Sequence, residues 1–206
     1  MLIKILTVIS ILTTMLLLKS LVSIFPSLMA CLFRSKECFN LDASVKLSRD
    51  RNLLACAMIL PFCLLVNRFN LHKAGTLLTL PENVQLLIII GVILFYILFR
   101  ETVYKLFRPQ RMPRKAYTTA GTTAHTFFVI LTLALLAIGG ITAILGMDAE
   151  AVTTAMLWVS IGIYILFLIR KFQIFISSCS VFTAFLYLCA LEIIPTGTLV
   201  VSAIIF

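Results

Sequence analysis

Six apolar stretches, separated by short polar segments, divide the chain: residues 5–33, 53–71, 84–99, 118–145, 151–169 and 177–206. A helix crossing a hydrocarbon core of about 30 Å needs about 20 apolar residues, so each predicts a transmembrane helix. The first is longer than a crossing requires. Lys19 interrupts it and Pro26 introduces a kink point. Lys4 followed by an apolar run mimics a signal peptide, but the run continues to Phe33 without a small-residue cleavage site, which favours a retained helix. The second stretch is the weakest, because Pro61 sits in its middle. Before the third, Thr79 and Glu82 have capping-box spacing and Pro81 suits a first turn. That helix is expected to continue through Glu101 and Lys105 until Pro109. The fourth opens on Thr118, Thr119, Thr122, Thr123 and His125, and later carries Gly139 and Ala143 at small-xxx-small spacing. A tight turn, with Asp148 as the expected N-cap, makes the fourth and fifth antiparallel neighbours.

The polar segments set a topology. Those after the first, third and fifth helices hold five, six and two Lys or Arg; those after the second and fourth hold two and none. Six helices with basic loops in the cytoplasm and both termini outside satisfy the positive-inside rule. With five helices the alternation fails. The first polar segment, residues 34–51, is long enough for a short interfacial helix.

Composition agrees with a membrane domain. The chain is 62% hydrophobic and 12% charged, against about 25% charged residues in soluble domains, too few to cover a soluble surface. We therefore expect one all-α polytopic membrane domain spanning residues 1–206. The net charge of +9 does not indicate nucleic acid, because the cations sit in short loops and not on a basic, aromatic-bearing face. Topological bias alone accounts for these loops; binding of anionic lipid headgroups or of an acidic partner is the alternative. Six cysteines without a CxxC pair, and only two histidines, give no metal constellation, and no cofactor is expected. The cysteines read as packing residues. The chain lacks GxSxG, HExxH and phosphate-loop patterns.

The candidate chemistry lies in the last stretch. Glu192 is an acid near the middle of an apolar helix, a rare and costly placement. Pro195 has no N–H for the Leu191 carbonyl, so the helix is expected to break beside the carboxyl group. Cys189 and Thr196 fall on the same face. A buried carboxylate needs a partner. Lys19, at similar depth by residue count, is the first choice and His125 the second. Glu192 then either binds a proton or cation, or joins the last helix to the first or fourth. One internal echo stands out: YILF occurs at Tyr96–Phe99 before Arg100, and again at Tyr164–Phe167 before Arg170. The positions are compatible with parallel repeats of helix pairs.

The run FLYLCALEIIP, Phe185 to Pro195, resembles the C-terminal signature of a Bacteroidota family known as domain of unknown function 4271. Its matching positions are Tyr187, Leu188, Cys189, Glu192 and Pro195. The resemblance implies a multipass protein of the bacterial inner membrane and supplies no activity. The function expected is a non-enzymatic component of a cell-envelope membrane complex with membrane-protein partners. The alternatives are a small transporter or proton-coupled channel subunit using Glu192, and then a membrane-embedded lipid-modifying enzyme.

Overall fold

The computed structural model describes residues 2–69, 71, 81–106 and 113–205, and no strand occurs among them. The helices are α1 (Leu2–Phe33), α2 (Ser35–Ala43), α3 (Val45–Ala57), α4 (Ile59–Arg68), α5 (Glu82–Leu106), α6 (Arg114–Leu145), α7 (Ala149–Ile176), α8 (Val181–Leu188) and α9 (Ile194–Ile205). A π-helical turn, Cys189–Ile193, joins α8 to α9. Among the described residues, six helical stretches are long and apolar enough to cross a membrane. They are α1, α3 with α4, α5, α6, α7, and the α8–π–α9 unit. Large apolar side chains such as Leu16, Phe95 and Trp158 face outward, the inverse of a water-soluble surface. The chain is a polytopic all-α membrane protein with six spanning helices.

The second span is real but broken. α3 ends at Ala57 and α4 starts at Ile59, with Met58 between them. Pro61 lies in the first turn of α4, where its missing N–H leaves no helical bond unmade. The span begins at Val45, so the last part of the expected first loop, from Val45 to Arg51, belongs to the membrane helix. The remainder forms α2, the expected short helix, which folds back against the end of α1. That return brings Cys31 and Cys38 together as a disulfide, with Cα atoms 5.1 Å apart. The reading of all six cysteines as unpaired packing residues is corrected for these two; Cys56, Cys63, Cys179 and Cys189 are free. The Thr79 capping box and Pro109 lie outside the described residues.

α6 is the central element. It packs against α7, α3, α2 and α4. Gly146 ends it in the left-handed conformation, φ 63°, with its N–H on the Thr142 carbonyl, and the chain turns directly into α7. Asp148 does occupy the N-cap of α7, but its side chain makes no capping hydrogen bond. Gly139 sits where α6 meets its neighbours. A Cβ there would lie 3.3 Å from Met156 Cε, 3.6 Å from Phe69 Cε2 and 3.7 Å from Leu65 Cδ2. Ala143, its expected companion, is exposed and takes no part. Gly139→Ala should be tolerated, because the flexible end of Met156 can move aside. Gly139→Leu should push α6 away from α4 and α7 and lower the melting temperature of the purified protein far more.

Candidate functional site: a buried ion cluster at the basic end

Sequence periodicity assembles the cluster from four helices. On α5, Arg100 and Tyr104 are four residues apart and share a face. On α7, Phe167 and Lys171 have the same spacing. On α6, Gly121 has no side chain, so its carbonyl is open to a neighbouring donor. The last span supplies Glu192 from within its π-turn.

The Glu192 carboxylate is 1% exposed. Arg100 grips it through Nη2 at 3.0 Å and Nε at 3.2 Å from Oε1, and Nε is 3.4 Å from Oε2. The Tyr104 hydroxyl donates to Oε1 at 2.9 Å. Lys171 Nζ contacts both Glu192 Oε1 and the Tyr104 hydroxyl. Arg100 Nη2 also donates to the Gly121 carbonyl at 3.2 Å. Two cations thus surround one carboxylate. The excess positive charge faces aromatic rings: Arg100 and Lys171 lie 5.0 Å and 4.7 Å from the Tyr104 centroid, and Lys171 lies 4.9 Å from that of Phe167. Tyr117 of α6 fixes the backbone beneath, donating to the Tyr104 carbonyl at 2.7 Å.

The π-turn aims the acid. Pro195 cannot donate to the Leu191 carbonyl, and the helix accommodates this by widening over Cys189–Ile193. The Ile194 N–H reaches back five residues to the Cys189 carbonyl. Thr196 then bonds the Glu192 carbonyl through its hydroxyl, and Tyr164 meets Thr196 Oγ1 at 2.5 Å. Such single π-turns within α-helices recur at functional sites.

A second polar cluster lies against the neighbouring turn of α6. Arg51 of α3 is 1% exposed. It pairs with Asp42 of α2 at 2.5 Å and with Ser48 Oγ at 3.1 Å. Thr122 donates to the other Asp42 oxygen at 2.7 Å. His125 Nδ1 is 3.2 Å from Asn52 Oδ1, where it donates, because the amide oxygen can only accept. Consecutive residues of α6, Gly121 and Thr122, therefore serve one cluster each.

The expected site residues separate. Glu192 is its centre and Pro195 its structural cause. Lys19 is not the partner: it lies exposed on α1, because its face of the helix points away from the bundle. His125 is not the partner either; it belongs to the second cluster. The nearby threonines bond their own helix, Thr118 to the Arg114 carbonyl at 2.8 Å and Thr123 to that of Thr119 at 2.6 Å. Cys189 opens the π-turn and is half-buried. Tyr187 packs its ring 6.3 Å from that of Phe175, outside the ion cluster. Sequence reasoning missed Arg100, Tyr104 and Lys171. In the sequence both cations read as loop charges that set topology. The available signal was their i,i+4 spacing from Tyr104 and Phe167. The two YILF runs precede the two cations that meet on Glu192, Arg100 directly and Lys171 one turn later. No group of three or more metal-ligating side chains occurs among the described residues.

No curated protein and no solved structure matches the chain. The family model described as domain of unknown function (DUF4271) matches residues 3–201, nearly the whole length and all six spans. This membrane protein therefore belongs to the DUF4271 family.

Proposed function

We propose that the chain is a non-enzymatic component of a cell-envelope membrane complex, and that the Glu192 cluster is a clasp that holds its helices in one arrangement. The observation that carries this reading is the saturation of the carboxylate. Two cations and a phenol from α5 and α7 already engage it, and it is 1% exposed. A transported ion would have to displace them. The clasp leaves the outward helix faces and the basic loops to meet membrane-protein partners and anionic lipid. Affinity purification of the tagged protein from native membranes should recover a stoichiometric membrane partner. Recovery as a single species would contradict the reading.

A second reading, a small transporter or proton-coupled channel subunit, draws on a different observation. Tyr104 bridges Lys171 and Glu192 next to a π-turn, an arrangement able to pass a proton. It predicts ion- or pH-dependent flux in vesicles that Glu192→Ala abolishes. The lipid-modifying enzyme ranks third, since it needs clustered His or Asp that the cluster lacks; it predicts a changed lipid profile on deletion.

We place the protein in the bacterial inner membrane, with both termini periplasmic, from the alternation of loop charge. The Cys31–Cys38 pair tests this independently. Disulfides are rare in a reducing cytoplasm, and the pair lies at the basic end. The bond in the structure is the oxidised form of the pair; with that end cytoplasmic, the same two cysteines are expected to be reduced in growing cells, and acid-quenched cells should yield both thiols alkylated. A retained bond would reverse the orientation.

A further inference from the structure

At the end opposite the basic loops, α1, α4, α5 and α6 enclose a cleft of about 430 Å³. It is separate from both ion clusters and from the clasp proposed above. Its lining changes character with depth. Arg68, the last residue of α4, and Glu82, the first of α5, stand at the mouth. Both are exposed, and they form no ion pair with each other. Below them lie the amides of Asn67 and Gln85 and the hydroxyl residues Thr7 and Ser10. The floor is aliphatic and includes Leu136, nine residues before the end of α6 and so roughly 13 Å below it. One buried atom there is unsatisfied: Asn67 Oδ1 has no hydrogen-bond partner among the described residues. A buried acceptor of this kind calls for a donor, from water or from a bound molecule that displaces it.

We infer that the cleft binds the headgroup of a phosphatidylethanolamine lipid. The choice follows from the groups present. Arg68 supplies a cation for a phosphate. Glu82 and Asn67 Oδ1 are both acceptors, and a primary ammonium offers charge to the first and an N–H to the second. The aliphatic floor takes the start of an acyl chain. A choline headgroup carries positive charge but no N–H for Asn67. A glycerol headgroup has hydroxyls but no cation for Glu82. The cleft is too small for a whole lipid and opens between helices whose other faces meet the bilayer, which favours a lipid over a solute.

The test is native mass spectrometry of the intact protein released from micelles. The micelles contain equimolar phosphatidylethanolamine, phosphatidylcholine and phosphatidylglycerol with matched acyl chains. The ethanolamine lipid should remain bound at least threefold more than either other. Asn67→Leu should lower it to the choline level with no loss of the other two, whereas Glu82→Gln, which removes the counter-charge of either ammonium, should lower the ethanolamine and choline lipids with no loss of the glycerol lipid. Because Glu82 is exposed, Glu82→Gln keeps the test valid even if Asn67→Leu misfolds. Equal retention of the ethanolamine and choline lipids in the wild type, or a preference over the glycerol lipid unchanged in Glu82→Gln, would overturn the assignment. Soluble phosphoethanolamine binding as tightly as the lipid would also overturn it, by assigning the cleft to a solute.

Discussion

Glu192→Gln should be the most damaging conservative change in this chain. The amide keeps the shape of the carboxyl group but leaves Arg100 and Lys171 buried side by side without a counter-charge. Removing one partner of a buried ion pair costs about 3–5 kcal/mol. Unfolding titrations in mixed micelles should therefore show a large loss for Glu192→Gln. Lys171→Met should be milder, because Arg100 and Tyr104 still satisfy the acid. Neutralising all three groups with Arg100→Met, Lys171→Met and Glu192→Leu should recover much of the loss, since well-packed apolar replacements of buried ion clusters are often neutral or better. Wild-type stability in Glu192→Gln would remove the clasp from the account.

The second large effect is expected at Asp42. Arg51 is as buried as Glu192, and Asp42 is the acid that neutralises it. Asp42→Asn should cost about 3–5 kcal/mol by the same logic. Its other partner provides the control. Thr122→Val removes one hydrogen bond to the carboxylate, worth about 1.5–3 kcal/mol, and leaves the Arg51 pair intact. The two variants should rank in that order in the same titration. If Thr122→Val proves the worse, the pair contributes through its hydroxyl contact and not through charge neutralisation.

These predictions mark where sequence reasoning succeeds and where it stops. The six spans follow from apolar length, because the bilayer imposes that length directly. Glu192 stands out for the same reason, since a charge at membrane depth is conspicuous against apolar neighbours. Pro195 announces the helix defect, because a missing N–H is a local property. The partners are another matter. Arg100 and Lys171 lie within a few residues of helix ends, where topological bias alone accounts for cations. Their burial depends on how α5 and α7 pack around the last span. The apolar run of the fifth helix stops at Ile169, yet α7 continues to Ile176. Tertiary contacts carry it on: Arg170 donates to the Leu32 carbonyl at 2.8 Å, and Lys171 is enclosed by the cluster. Lys19 shows the converse. Counting residues places it at depth, but depth does not reveal which face of a long helix meets the bundle. The Cys31–Cys38 bond was hidden likewise, because it depends on α2 doubling back.

The central claim is that the buried cluster holds the helices and does not itself perform the function. Co-purification by the triply neutral variant Arg100→Met, Lys171→Met, Glu192→Leu tests it most directly, provided the variant unfolds at wild-type denaturant concentration. This folded variant should still recover the wild-type membrane partner in stoichiometric amount. Loss of the partner from a variant of full stability would show that the charges themselves do the work and would contradict the claim.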